Sequence, residues 1–175
     1  MPNTTISEIL NGKDWILADG ATGTNYFSVG LQSGDSPELW NIDYPERVAT
    51  LHREFIDAGS DIILTNSFGG TSCRLKLHGS EDRVRELNRA AAFIARNEAD
   101  RAKKNIIVAA SMGPTGDLIY PLGDLQQSQA EDAFAEQADA LKEGGADVIW
   151  LETMSSKEEF EAARIGAQQV GLPIV

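Results

Sequence analysis

The chain has 175 residues, 42% hydrophobic and 24% charged, with 27 acidic against 15 basic side chains and a formal charge of −12. That acidity argues against a nucleic-acid backbone or an anionic membrane as partner, since both repel it. A single cysteine makes no intramolecular disulfide and no thiolate-rich metal cage.

Taken in chain order, residues 1–8 are polar, with no basic region ahead of an apolar stretch, so no secretory signal is read. No run approaches the roughly 20 apolar residues of a membrane span. The expectation is a soluble, cytoplasmic protein. Thr5 and Glu8 have capping-box spacing and predict a short N-terminal helix. The Asn3-Thr4-Thr5 sequon carries no meaning in the cytoplasm. Four continuous apolar runs follow, at 15–18, 61–65, 106–110 and 147–151, and a fifth begins at 172–175. Continuous rather than alternating runs suit parallel strands buried on both faces.

Helical faces lie between the runs. Val48, Leu51, Phe55 and Ile56 form the first, after Pro45 in a position suited to a first turn. Val84, Leu87, Ala91 and Ile94 form the second, Phe134, Ala138 and Leu141 the third, and Phe160, Ala163, Ala167 and Val170 the fourth. Ser128 with Glu131 and Ser156 with Glu159 predict capping boxes on the last two. The helix exits repeat one device, Ala58-Gly59-Ser60-Asp61 and Gly144-Gly145-Ala146-Asp147, in which glycine stops a helix before a tight turn into a strand. These exits are read as surface turns. No linker or low-complexity stretch divides the chain, so residues 1–175 read as one domain. A doubly wound sheet and a (β/α)8 barrel both fit the alternation, and periodicity alone leans slightly to the open sheet because a barrel needs eight repeats in about 250 residues.

Polar and small residues gather after every strand: Asp19 to Asn25, Asn66 to Thr71, Ser111 to Gly116, and Glu152 to Met154. Both parallel architectures place their sites at these carboxyl ends. Gly20 to Thr24 lacks the Gly-Lys-Ser/Thr of a phosphate loop, and no GxGxxG is present. Asp19-Gly20 and Gly113-Pro114 are also ordinary turn chemistry. Glu152, ending a buried strand, needs a partner. His52 reads as a packing or surface histidine, His78 as a turn residue, and Cys73 as a half-buried small hydrophobe; together they make no metal motif. Trp40 and Phe68 read either as core or as pocket walls.

Five of these segments, in order, resemble the homocysteine S-methyltransferase family: Asp-Gly-Ala-Thr-Gly-Thr at 19–24, Leu-His-Arg-Glu-Phe-Ile-Asp-Ala-Gly-Ser at 51–60, Ile-Leu-Thr-Asn-Ser-Phe at 63–68, Ser-Met-Gly-Pro-Thr-Gly at 111–116, and Gly-Gly-Ala-Asp-Val-Ile-Trp-Leu-Glu-Thr-Met at 144–154. The likeness extends to betaine–homocysteine methyltransferases and to the homocysteine module of cobalamin-dependent methionine synthase. It implies an α/β (β/α)8 TIM barrel, here a partial barrel of about four βα units plus a fifth strand. It further implies homocysteine and a small methyl donor as ligands, and zinc to hold the thiolate. The thiolate is the nucleophile, and zinc keeps it deprotonated at neutral pH.

By position, the resemblance assigns Asp19 and Glu152 to the amino-acid end of homocysteine and the amides of Ala21 and Thr22 to its carboxylate. Asn66 and Phe68 shape the pocket, and Trp40 faces the donor. The family's three zinc cysteines would all fall beyond Val175, and Cys73 matches none of them. The 175-residue chain is therefore expected to be inactive alone, holding no zinc and acting as the substrate-binding half. Gly69 stands where animal betaine enzymes carry tyrosine, which leaves betaine, another onium donor or a methyl-corrinoid open. The alternative is a catalytically inert half-barrel that binds or associates, forming homo-oligomers through its open edges.

Overall fold

The structure, a computed structural model, describes residues 13–175. The Thr5–Glu8 capping box and the Asn3 sequon lie outside the described residues. The elements are α1 (Gly23–Ser28), α2 (Trp40–Asp43), α3 (Pro45–Ala58), β1 (Ile62–Leu64), α4 (Ser72–Leu75), α5 (Val84–Arg101), β2 (Ile107–Met112), α6 (Gln127–Glu143), β3 (Val148–Leu151) and α7 (Lys157–Gln168).

The three strands form a parallel sheet in sequential order, with Ile62 opposite Ile107 and Ala109 opposite Val148. Two single parallel bridges extend the same order at either side, Ala18 to Ile62 and Ile149 to Ile174. The first and fifth apolar runs are thus bridged segments rather than ladders. Among the described residues each has a neighbour along one edge only, and Trp15 is 63% exposed. Strand order does not reverse anywhere among the described residues, so the crevice of a doubly wound sheet is absent there and the slight lean of the periodicity is corrected.

Alternation along the strands feeds two cores. Ile63, Val108, Ala110, Met112 and Ile149 pack under the helices with Phe134 and Leu141. Ile62, Ile107, Ala109 and Val148 form a second cluster with Ile16, Ala18 and Trp150. Burial on both faces is the physical reason the runs are continuously apolar. Helices α3, α5, α6 and α7 pack in chain order, each against the next.

Three local expectations are revised. The α6 capping box uses Gln126 and Gln129 rather than Ser128 and Glu131, because the helix begins two residues earlier and the Gln126 amide donates to the Gln129 side chain at 3.0 Å. Phe160 is 44% exposed, since α7 turns Glu159, Ala162, Ala163, Gly166 and Ala167 inward. The strand-leading acids are not surface residues: Asp61 and Asp147 are buried. Each carboxylate accepts an amide from the neighbouring segment, Leu17 N–H at 3.2 Å and Val108 N–H at 2.8 Å respectively. Each also takes a cation, Lys13 at 2.7 Å for Asp61 and Arg96 at 2.9 Å for Asp147. The repeated Gly-x-Asp is therefore a strand-joining clamp at the amino ends of the sheet. The glycine itself is required, because Gly59 and Gly145 adopt φ of +119° and +105°.

Candidate functional site

The carboxyl ends of the strands surround a cavity of about 420 Å³. Its walls come from four places: Gly20 to Gly23, Asp35 to Glu38, Leu64 to Gly69, and Ser111 with Glu152. Arg74 and His78 close one side.

Glu152 follows β3 directly. Its amide donates to Met112 O at 3.1 Å, and its carboxylate accepts the Ser111 hydroxyl at 2.5 Å. The next residue, Thr153, has φ of +61°, the one non-glycine with positive φ among the described residues. A β-branched residue is strained in that region, and such strain concentrates where a neighbouring side chain must be aimed. Asp19 follows the first segment and accepts Leu64 N–H at 2.8 Å. Burial pushes its carboxyl up to about 7, against the Leu64 amide and helped by the charge of Glu152. The two carboxylates are close enough for the charge of one to disfavour ionisation of the other.

The floor is a network of small polar groups. Thr65 and Ser67 hydroxyls lie 2.6 Å apart, Ser111 N–H donates to Thr65 at 3.0 Å, and Ser67 donates to Ser111 O at 2.8 Å. Asn66 donates to Pro37 O at 2.7 Å and to Asn41 at 3.0 Å, and Asn41 donates back to Asn66 O at 2.8 Å. Asn66 is thus held on both sides and ties the second strand end to α2. Phe68 lies across Gly113, where a Cβ would sit 2.5 Å from the ring. That close approach is why glycine occupies 113.

Ala21, Thr22, Asn66, Phe68 and Glu152 therefore line one cavity. Asp19 stands behind the wall, bonded to Leu64. Trp40 does not reach the cavity: it is 5% exposed and packs with Tyr26 at 5.2 Å and Tyr44 at 5.3 Å between ring centres. Arg47 stacks over the Trp40 ring at 4.9 Å. His52 is buried with neither ring nitrogen partnered, and burial lowers it to about 4 against the pull of Glu98. It is a packing residue.

Several cavity residues escape sequence reasoning, Glu38, Arg74 and His78 among them. Glu38 is buried on the wall and accepts Gly69 N–H at 2.7 Å and Ser36 hydroxyl at 2.6 Å. An acid set between Pro37, Leu39 and Trp40 is the signal that could have marked it. Ser111 belongs to β2, not to the loop after it. Arg74 and His78, four residues apart, both face the cavity, although His78 reads as an ordinary turn residue. Among the described residues, no three His, Cys, Asp or Glu side chains converge as a metal site. Cys73 is half-buried, with its thiol pushed up by burial and by Asp117, the reverse of what a metal-ligating thiolate needs. The described residues do not fit a zinc site.

A profile of the homocysteine S-methyltransferase family matches residues 16–175. The chain belongs to that family. Methionine synthase of Mycobacterium tuberculosis (strain ATCC 25618 / H37Rv) is 32% identical over 163 residues, and that of Mycobacterium leprae (strain TN) 31%. Each match covers 88% of this chain but only 14% and 13% of those proteins. Among solved structures, the homocysteine methyltransferase MmuM of Escherichia coli in its metallated form superposes with a TM-score of 0.78 at 22% identity. Its oxidized form gives 0.81 at 22% identity. These alignments cover 95% of this chain and 64% and 62% of those chains. The chain thus shares the fold of a homocysteine methyltransferase while spanning less than two thirds of one. Among the described residues, no helix is long and apolar enough to cross a membrane.

Proposed function

We propose that the chain is the homocysteine-binding portion of a homocysteine S-methyltransferase, folded as one domain in a partial (β/α)8 barrel of about four βα units and a fifth strand. The observation that carries this reading is Glu152. Its carboxylate is held by Ser111 on a cavity at the strand carboxyl ends, with Asp19 behind it. Homocysteine presents an ammonium, a carboxylate and a thiol on a four-carbon frame, and about 420 Å³ accommodates it with room for a second small ligand.

In this reading the ammonium sits at Glu152, and its charge draws Asp19 into the ionised form. The amides near Ala21 and Thr22 take the carboxylate, while Asn66 and Phe68 fix the orientation of the side chain. Orientation of two reactants is itself a large catalytic contribution, because it converts a bimolecular step into an effectively unimolecular one.

Calorimetric titration of the chain with homocysteine tests the reading, alongside Glu152→Ala. Loss of one charge-assisted contact weakens binding by about 10- to 100-fold. Equal affinity in the two proteins removes Glu152 from the site, and no binding by the parent chain removes the reading.

A further inference from the structure

We infer that Arg74, with His78 one helical turn on, forms a carboxylate-binding subsite on the side of the cavity formed by the segment after β1. The inference rests on the cavity being the ligand site proposed above, but it assigns a group that reading leaves unused.

The first observation is charge. Arg53, Arg83, Arg85, Arg96, Arg101 and Arg164 each pair with a carboxylate, and Arg47 stacks over Trp40 and Tyr44. Among the described residues, the Arg74 and Arg89 guanidiniums make no hydrogen bond, ion pair or ring contact, and of the two Arg74 alone lines the cavity, although the chain carries a formal charge of −12. The nearby wall acids are already engaged. Glu38 accepts from Gly69 and Ser36, and Asp35 accepts Gln32 N–H at 3.0 Å.

The second observation is placement. Arg74 lies on α4, whose N-cap is Thr71, with the Thr71 hydroxyl accepting the Arg74 amide at 3.3 Å. Its side chain runs over Gly116, where φ is +84° and a Cβ would stand 2.9 Å from both Cδ and Nη1. The glycine leaves the space that the arginine stem fills, so the guanidinium is held between α4 and the segment after β2. His78 ends the 3-10 turn Lys76–His78 that continues α4 and lines the same cavity.

The third observation is chemistry. A guanidinium presents a planar fork of donors that matches a carboxylate, and an unpaired one lining a cavity is satisfied by a ligand anion or by water. The carboxylate has two sources: a methyl donor that carries one, which leaves the homocysteine carboxylate on the Ala21 and Thr22 amides, or homocysteine itself, whose carboxylate would then move from those amides to the guanidinium.

Side-chain NMR of the Arg74 Nε–H, together with calorimetry on the full chain, tests this. The probes are propionate, homocysteine, 3-aminopropanethiol (homocysteine without its carboxylate), glycine betaine and choline, applied to the parent, Arg74→Gln, Arg74→Lys and Glu152→Ala. Circular dichroism checks that each variant keeps the parent fold. Propionate shifts the Arg74 resonance in the parent, and Arg74→Gln loses about tenfold in affinity for the carboxylate-bearing probe, with Arg74→Lys between. If homocysteine weakens and 3-aminopropanethiol does not, homocysteine is the source; if glycine betaine weakens and choline does not, the donor is. Homocysteine binding lost in Glu152→Ala while Arg74→Gln binds every probe as the parent does overturns the subsite and leaves the proposed function standing. Propionate bound through Arg74 with no homocysteine binding does the reverse. No response of Arg74 to any carboxylate overturns the subsite outright.

Discussion

Asp19→Asn is the sharpest probe of the site. The Asp19 carboxyl ionises near 3.8 when solvated and near 7 in the fold, chiefly because it is buried and secondarily because Glu152 is charged. A raised carboxyl constant means the folded state holds its proton longer than the unfolded state, so ionisation works against folding. With about 1.4 kcal/mol for each tenfold, the cost of this group is about 2 kcal/mol at pH 5 and about 4 kcal/mol at pH 8. Between those values Asp19 alone lowers stability by about 2–3 kcal/mol, as an upper bound. Asparagine keeps the acceptor for Leu64 N–H but cannot ionise. Urea unfolding of parent and Asp19→Asn at pH 5, 6, 7 and 8 reads the difference directly. The variant gains on the parent as pH rises, by about 2 kcal/mol over the range. A constant offset between the two curves refutes the buried, titrating carboxyl. An ammonium ligand reverses the same balance, so homocysteine added at pH 6 releases a proton from the parent and none from the variant. Calorimetry in two buffers of different ionisation enthalpy measures that proton.

His52 titrates with the opposite sign. Held near 4 in the fold against 6.5 when solvated, it is neutral in both states and without effect above pH 6.5, and it lowers stability by about 3 kcal/mol as pH falls to 4. His52→Leu removes that acid sensitivity in melts at pH 4.5 and 7, and parallel curves would exclude it. Glu159 is buried and accepts Thr115 N–H at 2.9 Å, Thr115 hydroxyl at 2.7 Å and Ser155 N–H at 2.8 Å. Glu159→Ala orphans those donors and costs about 3 kcal/mol in urea unfolding; a loss below about 1 kcal/mol would mean the loops are held otherwise. Gly113→Ala drives a methyl into the Phe68 ring, costing about 1–3 kcal/mol and weakening homocysteine binding, both measured on one sample. Edge association is tested by sedimentation of Leu17→Lys, which is expected to lower any self-association of the parent; identical profiles from an associating parent would exclude that edge.

Much of this was readable along the chain because its cause is local. Continuous apolar runs mark strands covered on both faces, and the runs at 61–65, 106–110 and 147–151 coincide with β1, β2 and β3 to within two residues. Gly59 and Gly145 mark the helix exits because only glycine adopts their φ cheaply. Glu152 stood out because a charge ending a buried strand needs a partner. Other features depend on neighbours distant in sequence. Asp61 and Asp147 resemble surface acids until Leu17, Val108 and their cations are seen around them. Trp40 looked equally like a pocket wall, and contact with Tyr26 and Arg47 places it in a core instead.

The residue types and their periods alone determine parallel strand–helix alternation, the polar strand ends and the family motifs, since each is encoded within a few consecutive positions. Only the tertiary structure decided that strand order runs without reversal, that Glu38 is buried against Gly69, and that Arg74 reaches the same cavity as Glu152. Those outcomes hang on through-space contacts among segments 30 to 80 residues apart, where burial and Coulomb interaction act without regard to sequence distance.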